Sequence, residues 1–127
     1  MGWLSRHAER LYALLRIVAG ILFACHGAQK LFGALGGTAM TSNPMMLAAG
    51  IIEFGGGLLI ALGLFASWAA FLASGQMAVA YFMVHAKGGF WPIINKGELA
   101  VVYCFLFLYI AARGSGPYSV DAAMRKR

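Results

Sequence analysis

The sequence predicts an all-α fold: a transmembrane, antiparallel four-helix bundle with a short C-terminal interfacial segment. Three observations carry this. Of 127 residues, 61% are hydrophobic and 11% charged, where a soluble domain has about half and about a quarter. Mean hydropathy is +0.77. The apolar residues are also gathered into long runs separated by Gly- and Pro-bearing stretches, and the first three runs reach the length of about 20 residues that crosses a hydrocarbon core of about 30 Å. One membrane domain over residues 1–127 is expected.

The first run, about 11–32 (LYALLRIVAGILFACHGAQKLF), reads as the first span. Its length and the presence of Arg16, His26 and Lys30 argue against a cleavable signal peptide. The Gly-rich connection GALGGTAMTSNP follows. The second run covers about 45–65 (MMLAAGIIEFGGGLLIALGLF), and the third, about 67–86 (SWAAFLASGQMAVAYFMVHA), follows after a tight turn. The fourth starts at Ile93 or Glu98 and ends near Ala112, the 93–112 limits requiring Lys96 to snorkel to the interface. Gly114, Gly116 and Pro117 stop that helix. Ser119 then suits the N-cap of a short helix, with Asp121 in its first turn and Arg125, Lys126 and Arg127 at its end. This final segment is expected to lie along the membrane interface.

The net charge is +6, and its placement excludes a nucleic-acid binder. Arg6, Arg10, Arg113, Arg125, Lys126 and Arg127 lie near the chain ends, with no aromatic platforms interleaved for base stacking. The pattern is the positive-inside bias, which puts both termini in the cytoplasm and turns the loops 33–44 and 87–95 outward. The two cysteines, Cys25 and Cys104, form no CxxC pair and no zinc spacing. A thiol relay or a divalent metal site is a minor reading, and no metal is expected: no ExxH or HxxxH spacing occurs, and Lys30 repels a cation.

The ionisable residues inside the runs are the candidate site. Counting about 1.5 Å per helical residue, His26, Glu53, His85 and Glu98 all fall in the outer half of the bilayer, one per helix. Lys30 stands one turn above His26 on the same face. Charges at such depth normally face the bundle interior and neutralise one another, so Lys30 is expected to pair with Glu53 or Glu98. Trp91 and Asn95, in the following loop, are placed to roof the pocket. Gly50, Glu53 and Gly57 share one helix face, where small residues allow close approach. At the opposite end, Arg16 is expected either to form a structural ion pair with Asp121, folding the tail under the bundle, or to snorkel to lipid phosphates.

The order of motifs resembles the DoxX family of small four-helix membrane proteins. The matching pieces are LLRIVAGILFACHGAQKLFG, AAGIIEFGGGLLIALGLF and GQMAVAYFMVHAKGGFWPIINKGELAVVYCFLFLYIAARGSGPYSVD. They cover nearly all of Leu14 to Asp121. The resemblance implies a bacterial inner-membrane protein linked to quinone-coupled or thiol-linked oxidoreductase systems. It also picks out His26, Lys30, Glu53, His85, Trp91, Asn95 and Glu98. On this basis the expected ligand is a quinone, with the histidines and Lys30 as donors, the carboxylates as proton relays, and Tyr81, Phe90 and Trp91 as walls. The expected partners are the lipid bilayer and a second redox protein. The alternative function is non-enzymatic: a small-molecule or ion transporter, or a membrane assembly partner.

Overall fold

Four long helices arise where the apolar runs lie. In the computed structural model, which describes residues 1–125, α1 spans Ala8–Phe32, α2 Pro44–Leu62, α3 Ala66–Gly88 and α4 Glu98–Arg113. A short α5, Val120–Arg125, follows. Single helical turns form at Gly2–Ser5 and Pro92–Asn95. Lys126 and Arg127, two of the basic residues weighed in the charge bias, lie outside the described residues. Helices α1, α2 and α3 are long and apolar enough to cross a membrane. Helix α4, at 16 residues, is about 24 Å long at 1.5 Å per residue. It does not extend back to Ile93. Pro92 starts a separate turn, Lys96 takes a left-handed φ of 63°, and the Asn95 side chain accepts the Gly97 N–H at 2.8 Å, which ends that turn before α4 begins.

Local chemistry sets the ends. Gly33, at φ 66°, terminates α1 in the left-handed conformation that glycine adopts without a Cβ penalty. The Asn43 side-chain oxygen Oδ1 accepts the Met45 and Met46 N–H groups at 3.0 and 3.4 Å, capping α2, and Pro44 occupies its first position. Gln29 serves the loop between them by donating to the Leu35 carbonyl at 3.1 Å.

The helices run antiparallel in sequence around the bundle. α1 and α2 pack through glycine. A Cβ on Gly27 would sit 2.2 Å from the Phe54 nitrogen, and one on Gly57 2.5 Å from the Ala24 nitrogen. Of the three glycines at 55–57, only Gly57 makes this close approach; a Cβ on Gly55 would meet nothing within 4 Å, and one on Gly56 would only reach ordinary contact with the Ala69 carbonyl oxygen at 4.0 Å. α3 and α4 pack through buried Ala69, Ala70, Ala73, Ala100 and Phe107, and the Ser74 hydroxyl donates to the Cys104 carbonyl at 2.7 Å. α1 meets α4 through aromatic rings: Phe23 lies against Phe107 with centroids 4.7 Å apart and against Tyr103 at 5.5 Å, and within α4 Tyr103 stacks on Phe107 at 5.1 Å. The outer surface is apolar all round, with Val18, Ile21, Trp68, Phe71 and Phe105 exposed. Such a surface suits lipid and not water.

Helices α2 and α3 each contain one π-helical turn, at Ile52–Gly56 and Tyr81–His85. An inserted residue of this kind re-aims the side chains around it, and such turns are frequent at functional sites. Glu53 lies in the first; Tyr81 and His85 lie in the second.

The tail folds back under the bundle, although not through the ion pair expected from the sequence. Arg16 is completely buried and donates to backbone carbonyls: Nε to Ile60 at 3.0 Å, Nη2 to Tyr118 at 2.9 Å and to Ala61 at 3.4 Å, and Nη1 to Pro117 at 3.2 Å and to Ser115. Asp121 instead accepts the Phe65 N–H at 3.0 Å and the Ser115 hydroxyl at 2.7 Å. The reason is geometric. The last carbonyls of α2 form the negative end of its dipole and sit beside the guanidinium, while Asp121 is drawn to the tight α2–α3 turn, where Phe65 holds φ 51°. Ser119 does cap α5, accepting the Ala122 N–H at 3.1 Å.

Candidate functional site

The close contact of α1 with α2 brings Lys30, in the last turn of α1, onto Glu53 of α2. The Lys30 ammonium forms a salt bridge to Glu53 Oε2. Glu53 is 1% exposed, and the Lys30 side chain retains 24% exposure. From α3, Gln76 Nε2 donates to the same carboxylate oxygen at 2.6 Å. One buried carboxylate is therefore held by a cation and an amide on two different helices. A buried charge requires this, because an unpaired ion in a low-dielectric interior is costly. The Gln76 Oε1 atom is buried without a partner; rotating the amide to exchange its ends would set that oxygen against the carboxylate.

Glu53, Lys30 and Gln76 line a cleft of about 630 Å³ between α2 and α3. Its walls are apolar, and several of them, including Met45, Phe71, Leu72, Met83 and Val84, are also exposed on the outer surface of the bundle. The cleft thus opens sideways, toward where lipid would lie. His85 lines it as well.

The other expected members lie elsewhere. His26 is turned toward α4, edge-on to Tyr103 with centroids 6.3 Å apart, and does not line the cleft. Glu98 is exposed in the first turn of α4, a favourable position for a carboxylate at a helix N-terminus. The four-residue convergence of His26, Glu53, His85 and Glu98 is therefore not formed; only Glu53 and His85 share the cleft. The helix faces decide this, because depth along a helix leaves the direction of a side chain open by a full turn.

Trp91, exposed and edge-on to Phe90, lines a second apolar cleft of about 380 Å³, between α3 and α4, together with Tyr81 and Phe90. The aromatic walls expected for the ionisable pocket thus stand at a different cleft. Asn95 is a brace: Nδ2 donates to the Tyr81 hydroxyl at 3.0 Å and to the Gly89 carbonyl at 2.8 Å, the Tyr81 hydroxyl donates to the Phe90 carbonyl, and His85 Nδ1 lies 3.3 Å from the Asn95 carbonyl. Gln76 was not singled out from the sequence. Its signal is there, as the one amide inside the third apolar run (SGQMAVAYF). Cys25 and Cys104 are free thiols.

Chemically, the cleft offers an ammonium with spare donor capacity, a carboxylate able to take a proton, and apolar walls. The DoxX family profile matches residues 11–86, a stretch that includes Lys30, Glu53, Gln76 and His85. A Haemophilus influenzae protein described as uncharacterized is 40% identical over 134 residues, covering 100% of each chain. No solved structure matches. With the family match spanning α1 to α3, and so all the residues that build the cleft, the chain belongs to the DoxX family.

Proposed function

We propose that this DoxX-family membrane protein is a multi-pass protein of the bacterial inner membrane that binds a quinone in the α2–α3 cleft, as the membrane part of a quinone- or thiol-linked redox system. In this reading all four long helices span the bilayer and both termini are cytoplasmic. The observation that carries it is the Lys30–Glu53–Gln76 cluster in the wall of an apolar cleft open to the lipid side. A quinone partitions into lipid and enters sideways. Its ring suits apolar walls, and one carbonyl accepts from Lys30 Nζ. Glu53, next to that ammonium, is placed to hold a proton. The electrons come from a partner protein or a soluble thiol. His85 lies on the same cleft and is a further proton-exchanging group there. His26, Trp91 and Glu98 stand outside it and have no direct part.

The test is titration of the purified protein with a short-tailed ubiquinone analogue, followed by tryptophan fluorescence. Glu53→Gln and Lys30→Met are each expected to weaken binding at least tenfold, with the helical circular-dichroism signal kept. Equal affinity in both variants refutes the assignment. Solute uptake by proteoliposomes without reductant, in the absence of any quinone binding, makes the cluster a transport site instead.

A further inference from the structure

The chain-end side of the bundle holds a third, chemically different cavity. It measures about 860 Å³ and lies between the start of α1 and the folded-back tail. Arg6 and Arg10 enter it from the N-terminal side and Arg125 from the end of α5, with His7 beside them. These residues are more than a hundred positions apart in sequence, and the tail's return under the bundle brings them together. All three arginines are exposed.

Their charge is not cancelled nearby. Glu9 is the acidic residue in the lining, and it is bound to Arg113, whose guanidinium also stands 4.2 Å over the Tyr12 ring. Asp121 is held by the Phe65 N–H and the Ser115 hydroxyl. Among the described residues no carboxylate pairs with Arg6, Arg10 or Arg125. Three guanidiniums around one cavity suit more than one phosphate, since each can bind an anion through a planar fork.

The surroundings point to a lipid source for those phosphates. Tyr118 lines the cavity at 65% exposure, and Trp3 and Met124, close in sequence to the lining residues Arg6 and Arg125, are 63% and 51% exposed; aromatic residues at this level anchor a protein at the headgroup boundary. The cavity lies at the end of the bundle where the arginines gather, and basic pockets on that side meet the anionic leaflet. We propose that this cavity is a binding site for the headgroup of a phospholipid carrying two phosphates, of the diphosphatidylglycerol type. It is independent of the α2–α3 cleft and of its ligand.

Native mass spectrometry of the full chain, released from zwitterionic detergent, compares diphosphatidylglycerol with phosphatidylcholine. The expected result is at least a tenfold preference for the diphosphate lipid, lost in the triple variant Arg6→Gln/Arg10→Gln/Arg125→Gln. These positions are exposed, so the melting curve in zwitterionic detergent is expected to stay unchanged. If the triple variant fails to fold, Arg6→Gln and Arg125→Gln singly are each expected to cut retention about threefold. Equal retention of both lipids, or an undiminished preference in the folded variants, overturns the proposal. So does displacement of the lipid by inorganic pyrophosphate at equimolar concentration, which marks a site for a soluble anion.

Discussion

Replacing Arg16 by lysine tests how the tail is held. The guanidinium reaches the carbonyls of Ile60, Ala61, Ser115, Pro117 and Tyr118 from three nitrogens. An ammonium has three donors on one atom and cannot span α2 and the tail in the same way. The contacts to Pro117 and Ala61, at 3.2 and 3.4 Å, are the weakest and contribute least. Losing two of the stronger bonds, at about 1.5–3 kcal/mol for a hydrogen bond to a charged group, gives about 3–6 kcal/mol. The tail carbonyls lie at the end of the bundle and can rehydrate once released, so the lower end, about 3 kcal/mol, is expected. Arg16→Met leaves no donor and is expected to cost about 5 kcal/mol, in the range for a broken buried polar network. By contrast, Asp121→Asn keeps an acceptor for Phe65 and Ser115 and is expected to cost under about 1 kcal/mol. Thermal unfolding in detergent reads the stability, and limited proteolysis across Gly114–Ser119 reads the release of the tail. A direct Arg16–Asp121 pair would make the two substitutions comparable in cost. That outcome, or an Arg16→Lys protein whose melting and protease resistance match the parent, refutes the reasoning.

Three further outcomes follow from the packing. Gly27→Ala places a methyl against the α2 backbone at Phe54; it is expected to destabilise by about 3 kcal/mol, because backbone cannot give way as a side chain can, whereas Gly75→Ala, with nothing within 4 Å, is expected to be neutral or to gain up to about 1 kcal/mol from helix propensity. Paired melting curves decide between them. Lys30→Met strands the buried Glu53 carboxylate and is expected to cost about 3–5 kcal/mol, while Lys30→Met/Glu53→Gln removes the stranded charge and recovers most of the loss; a double variant no more stable than the single one contradicts the pairing. Asn95→Ala removes the bonds to Tyr81, Gly89 and Gly97 and is expected to cost about 2 kcal/mol, with faster protease cleavage in the 88–97 loop as the readout.

The helix positions were legible in the sequence because burial in lipid imposes long apolar runs, and Gly and Pro at the ends close them off. Ser119 caps α5 as expected; the structure adds Asn43 and Pro44 at the start of α2 and Gly33 at the end of α1. The fourth helix was ambiguous for a physical reason. Ile93 and Ile94 are as apolar as a span, and the break comes from the left-handed Lys96 and the Asn95 side chain, which hydropathy does not register. The Lys30–Glu53 contact was one of two pairings that depth allowed, and the Gly27 and Gly57 approaches to α2 and α1 selected it.

What the sequence by itself determined is the membrane class, the helix count to within the fourth span, and the position of each ionisable side chain along its helix, because these follow from composition and from a fixed rise per residue. What only the tertiary structure decided is which of those side chains face one another. The π-helical turns at Glu53 and at Tyr81–His85 and the glycine contacts between α1 and α2 set the rotation of each helix. They bring Gln76 to Glu53, leave His26 against Tyr103, and divide the expected single pocket into two clefts. Rotation about a helix axis is fixed by contacts with neighbouring helices, and a one-dimensional pattern carries those contacts only as the apolar character of a face.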